Sequence, residues 1–148
     1  MPAKIKAQSS EDAARLAAIA EDLGAQADAA VICIFVQVSI KPESYLAMLR
    51  ATTGFDYDLP EMLTIGRRIW TLLRGITNLH GISARDDRLP PKLLAPPAEG
   101  PHAKSQIDLD LMKREYYVLR GLDERGRPSP ERCKNLGLNN LAEKISAS

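Results

Sequence analysis

The sequence predicts an all-α fold, an irregular multi-helix bundle with a proline-rich loop. Three observations predict it. Apolar residues recur at helical spacing along most of the chain. Ser, Asp, Pro and Gly stand where helices should start and stop. Prolines concentrate in one irregular stretch, residues 81–107. At 148 residues the chain has the length of a single helical domain, 1–148, built on one core.

The elements follow in order. Over residues 9–23, Ser10 is placed to cap and Glu11 and Asp12 suit the positive end of the helix dipole. Ala13, Leu16, Ala17, Ala20 and Leu23 form one stripe, and Gly24 is the expected stop. The run from Val31 to Val36 is β-branched enough for a buried strand, yet periodicity alone fits a buried helix as well. Pro42 and Glu43 open a helix through Ala51, with Gly54 as its end. Asp58, Pro60 and Glu61 give the clearest start, a capping carboxylate with a glutamate three residues on. From there Met62, Ile65, Ile69, Leu72, Leu73, Ile76 and Leu79 define a face expected to be buried, with Trp70 nearby. Gly66 and Gly75 each cost about 1 kcal/mol relative to alanine inside a helix, which points to close approach by another helix or a bend, with tolerance at a surface position as the alternative. Asp108 is expected to cap a helix that runs to Arg120, with Leu109, Met112, Tyr116 and Leu119 on one face and Gly121 as the stop. A last short helix follows Ser129 and Pro130 and ends near Gly137, leaving a tail at 141–148.

Composition excludes several function classes. A 45% apolar, 26% charged chain is globular, and a net charge of +1 gives no overall pull toward nucleic acid or anionic membrane. Arg67, Arg68, Arg74, Arg85, Arg88 and Lys92 cluster locally, but few aromatics interleave with them, so a solvated face is expected rather than a nucleic-acid groove. The longest apolar run, residues 29–40, is too short to span a bilayer, and residues 1–10 lack the apolar stretch of a signal peptide. With two cysteines far apart in sequence a disulfide scaffold is not expected, and a reducing cytoplasm is the expected compartment.

Few residues carry chemistry. Cys33 sits in an apolar run five positions after Asp28; a lone cysteine there is ordinarily a small hydrophobe, and Asp28 ordinarily a cap for the following helix. Cys133 is expected to pack. Asp86 and Asp87 lack a histidine or further acid and are expected to form turns or pair with Arg67, Arg68 or Arg85. His80 and His102 have no second ligand at metal spacing, and His80 suits a helix C-terminus.

Taken together, Asp28-Ala-Ala-Val-Ile-Cys33, Ala51-Thr-Thr-Gly54, Ile65-Gly66-Arg-Arg68, Asn78 and Asp86-Asp87-Arg-Leu89-Pro90 resemble the C-terminal part of the tungsten-containing aldehyde:ferredoxin oxidoreductases. The resemblance runs over residues 25–140 and leaves the first 24 poorly matched. It implies a helical setting for the run from Val31 to Val36. It also implies that Cys33 is the isolated fourth ligand of a [4Fe–4S] cluster and that Asp28 contacts a tungstopterin. In such enzymes an aldehyde is oxidised to a carboxylic acid at a tungsten or molybdenum bis-pterin centre, and electrons leave through the cluster to ferredoxin. Four thiolates are needed for the cluster and only two cysteines are present, so the chain is expected to bind no cofactor alone and to require the N-terminal domains as partner. Two departures stand out. Val31 and Ile32 replace glycine and leucine, which matters if the backbone there must approach the cofactor closely or take a positive φ. Arg67 replaces a glutamate. A non-catalytic helical interaction module, or a truncated remnant, is the alternative reading.

Overall fold

A computed structural model describes residues 12–96, 98–100, 103 and 106–147. The elements are α1 (Ala13–Ala29), α2 (Ile34–Ser39), α3 (Pro42–Thr53), α4 (Leu59–Leu79), α5 (Pro91–Leu94), α6 (Leu109–Arg120), α7 (Pro130–Asn135) and α8 (Asn139–Ser146). Among the described residues the extended backbone pairing is confined to an isolated bridge between Leu122 and Pro128. The architecture is all-α, as the periodicity predicts.

Local chemistry fixes the best-defined ends. Asp58 and Glu61 complete a reciprocal capping box: the Asp58 carboxylate accepts from the Glu61 N–H at 2.8 Å, and Glu61 accepts from the Asp58 N–H at 2.9 Å. Asp108 and Ser129 accept from the third residue of α6 and α7 in the same way. Gly54 and Gly121 close α3 and α6 at φ 75° and 66°, values that L side chains resist.

α1 departs from expectation. Ser10 and Glu11 lie outside the described residues, and Asp12 holds the N-cap position without a side-chain cap bond. Gly24 does not end the helix, which runs on to Ala29. Burial of Asp22, Gln26 and Ala27 on its inner face carries α1 through the glycine, because packing outweighs a propensity cost of about 1 kcal/mol.

α1 lies along α4 and against α6, while α8 pairs with α7 and reaches α4. The two glycines of α4 are the contact points. A Cβ on Gly66 would come within 1.9 Å of the Asp22 carbonyl oxygen, and one on Gly75 within 2.6 Å of Leu141. Two apolar clusters result. Tyr45, Leu46, Leu49 and Met62 join α3 to α4, with Leu23 and Ile32 packed against them. Cys133, Leu141, Ala142 and Ile145 join α7 to α8. Cys133 is fully buried, which pushes its thiol pKa up and makes it the packing residue expected. The expected tail at 141–148 is thus largely helix, and its apolar face completes the second cluster.

One expectation about α4 fails. Met62 is buried, and Ile65 and Ile69 partly so, but Leu72, Leu73, Ile76 and Leu79 are exposed. Thr71, Gly75 and Asn78 face inward along that half of the helix instead. Trp70 is half-buried against Tyr116 and carries the Arg120 guanidinium 4.2 Å from its ring centroid.

Candidate functional site

The segment from Asp28 to Cys33 is the reversal between α1 and α2. Asp28 lies in the last turn of α1, exposed, rather than capping the following helix. The Val31 N–H donates to the Asp28 carbonyl at 3.1 Å and the Ile32 N–H to the Ala27 carbonyl at 3.0 Å. These two bonds are a Schellman closure, with Val31 at the position that turns left-handed. Its φ is 57°, and its side chain is 91% exposed. A β-branched residue is among the least suited to that conformation. The departure from glycine therefore falls where the turn most needs one. Ile32 then drops back onto the first apolar cluster, which anchors the reversal.

Cys33 is the N-cap residue of α2, in extended backbone geometry, and its carbonyl accepts from the Val36 and Gln37 N–H groups. The thiol is free and exposed. Around it α2 buries none of its six residues, with Phe35 76% and Val38 72% exposed. A hydrogen bond from Gln37 Nε2 to the Leu23 carbonyl at 2.8 Å ties α2 to α1. No charged residue occurs from 29 to 40, so Cys33 heads an uncharged, largely apolar segment that follows the exposed Asp28 in sequence. Such a surface offers what a cluster ligand needs: accessible sulfur in surroundings of low polarity. Among the described residues no three His, Cys, Asp or Glu side chains are grouped to hold a metal ion.

The acidic pair serves another purpose. Asp86 accepts from the Ser83 N–H at 2.9 Å and closes a turn. Asp87 pairs with Arg74, not with Arg67, Arg68 or Arg85: Arg74 donates to its two oxygens at 2.8 and 2.5 Å, and the Tyr117 hydroxyl donates to one of them at 2.5 Å. Burial alone would raise the Asp87 pKa, but these hydrogen bonds outweigh it and hold the carboxyl below its ordinary range. Burial and the bond to Asp87 push Tyr117 up to about 12. The group borders a mostly apolar recess of about 490 Å³ between α1, α4 and α6. Both Asp87 oxygens are engaged, so it is a structural clamp rather than a general base. His80 is the exposed C-cap residue of α4, as its position in the sequence predicts, and His102 lies outside the described residues.

Sequence reasoning missed Arg120. It is 1% exposed and bridges α6 to α1 through Asp22, Glu21 and the Ala18 carbonyl. Burial would lower its pKa, but the bonds to Asp22 and Glu21 outweigh this and raise it. Arg67 reaches the other Asp22 oxygen at 3.5 Å. Nothing in the local sequence signals this network, because its partners are nearly a hundred residues apart.

Fold and site together define a helical bundle with an exposed thiol, Cys33, at the head of an uncovered apolar helix and an exposed carboxylate, Asp28, in the helix before it. Comparison with known proteins gives the family. The family described as aldehyde ferredoxin oxidoreductase, domains 2 and 3, matches residues 1–138, including the first 24, and the chain belongs to it. The chain is 36% identical over 131 residues to a tungsten-containing aldehyde ferredoxin oxidoreductase of Pyrococcus abyssi, and 34% identical over 131 residues to that of Thermococcus kodakarensis. In both cases 87% of this chain but only 22% of the relative is covered. It is also 32% identical over 129 residues to a protein of Pyrococcus furiosus named aliphatic sulfonate oxidoreductase, WOR-like subunit, covering 80% of this chain and 20% of that one. The chain therefore spans about a fifth of the length of these relatives. No helix among the described residues is long and apolar enough to cross a membrane.

Proposed function

We propose that this chain is the C-terminal helical part of an aldehyde-oxidising tungstopterin enzyme and is inactive alone. The carrying observation is the exposed Cys33 thiol, placed at the head of an apolar helix that buries none of its own residues. In this reading the Cys33 thiolate is one ligand of a [4Fe–4S] cluster. The Asp28 carboxylate accepts hydrogen bonds from the paired N–H donors on the pterin edge. When bound, the tungsten centre supplies the two-electron oxidation of an aldehyde to a carboxylic acid, with the cluster as the route to ferredoxin. This chain's own contribution is to hold those two side chains in place and to exclude water with Ile34, Phe35 and Val38. Membership of the family and the names of the relatives support the reading.

The test is anaerobic co-expression with a chain carrying the upstream domains. A complex that contains tungsten and oxidises aldehydes is expected, with tungsten lost or reduced severalfold on Asp28→Asn. Unchanged tungsten content in that variant would remove the pterin role from Asp28. A second reading, a non-catalytic helical module, is favoured by the strained Val31 at the turn. It predicts a stable complex, or a stable isolated chain, without metal or activity.

A further inference from the structure

A second recess, about 320 Å³, opens where α1, α4, α6 and α7 meet. Arg15, Arg67, Arg120 and Arg132 line it with a single carboxylate, Asp22. The compensation is uneven. Arg15 pairs with Asp12 at the surface. Arg120 is saturated by Asp22, Glu21, the Ala18 carbonyl and the Tyr116 hydroxyl. Arg67 has only the 3.5 Å contact with Asp22 through its Nε, and its terminal nitrogens donate to no described residue.

Arg132 is left over. No carboxylate among the described residues lies within ion-pair distance of it, and its Nη2 makes one long bond, 3.3 Å, to the Leu119 carbonyl. Its buried Nε has no acceptor. Its stem passes close to Gly121, where an added Cβ would come within 3.3 Å of the Arg132 Cβ and Cγ. Burial first, and then the charges of Arg67 and Arg120, push its pKa down against the opposing charge of Asp22. A half-buried guanidinium beside two others, with no directly paired carboxylate, is costly to keep charged.

We infer that this recess is a binding site for one small oxyanion, of the phosphate or sulfate class, held between the guanidinium groups of Arg67 and Arg132. The planar forks of two arginines match the oxygens of such an anion, and a net excess of positive charge in a half-enclosed recess concentrates it there. The residue at position 67 decides the matter. With a glutamate there, the carboxylate would take the anion's place as an intramolecular partner for Arg132. This inference stands independently of the cluster and pterin roles above.

The experiment titrates the full 148-residue chain with inorganic phosphate, and separately with sulfate, at constant ionic strength maintained with chloride. Heat and phosphorus-31 line width report binding, and circular dichroism verifies the fold of each variant. One saturable site is expected. Binding should weaken about tenfold or more in Arg132→Met, the loss expected when a charge-assisted bond is removed. It should vanish in Arg67→Glu, provided circular dichroism shows that variant folded. Saturation by both anions, or by phosphate alone, supports the site. Absence of saturable binding in the parent chain, or equal binding in Arg67→Glu, would overturn it.

Discussion

Val31→Gly should stabilise the protein. Val31 closes the Schellman turn at φ 57°, and an L residue pays about 1–2 kcal/mol for the left-handed region, with β-branched residues at the upper end. Almost nothing opposes its removal from the folded side. The side chain is 91% exposed, so glycine forfeits little buried area. The opposing effect is the extra freedom of glycine in the unfolded chain, about 0.5–1 kcal/mol. The difference leaves a gain of about 1 kcal/mol, or roughly 4 °C in Tm for a domain of this size. Urea melts with an unchanged slope and a higher midpoint provide the assay. The same loss of strain should not alter far-UV circular dichroism, because the turn is already formed. A Val31→Gly midpoint equal to or below the parent's would refute the claim that position 31 is strained.

Two further outcomes test the packing account. Asp22→Asn removes the buried carboxylate that pairs with Arg120 and should cost about 3 kcal/mol in a urea melt, since it leaves a buried guanidinium short of an acid partner. Asp87 has a folded pKa below its ordinary 3.8, so its contribution is complete above that value and is lost as pH falls through the depressed folded value. Tyr117 has a raised pKa, so its contribution is complete below 10 and is lost as pH rises from there through about 12. Urea midpoints followed down through the carboxylate range should therefore fall less steeply in Asp87→Asn, and in alkali the Tyr117→Phe variant should lack one late phenolate absorbance step.

The elements that were legible in the sequence are those whose ends are set by neighbouring residues. The Asp58–Glu61 box, Asp108, Ser129, Gly54 and Gly121 all act within a few positions of themselves, and the helices they bound fall where expected. α8 was missed because Leu138 at its N-cap makes no side-chain cap bond, so the helix has no local start signal and is held by burial of Leu141 and Ile145. Gly24 misled for the converse reason: tertiary packing of α1 overrode a local stop. The apolar pattern of α4 was read correctly as a face, but a pattern does not say what covers it, and Leu72, Leu73, Ile76 and Leu79 are uncovered in this chain. At the candidate site the resemblance singled out position 31, where the backbone does take a positive φ, while the roles of Asp28 and Cys33 are proposals that rest on that resemblance. The pairing of Arg74 with Asp87, and of Arg120 with Asp22, depends on how helices distant in sequence cross, which no local spacing encodes.

The most direct measurement is the iron content of the anaerobically co-expressed complex, with and without Cys33→Ala. Because Cys33 is exposed, the substitution should change the stability of the chain by no more than about 0.5 kcal/mol, which separates loss of a ligand from loss of the fold. A thiolate that completes the iron site predicts a cluster absorbance and iron stoichiometry that collapse in Cys33→Ala while the complex still assembles. Full cluster content in that variant would contradict the assignment.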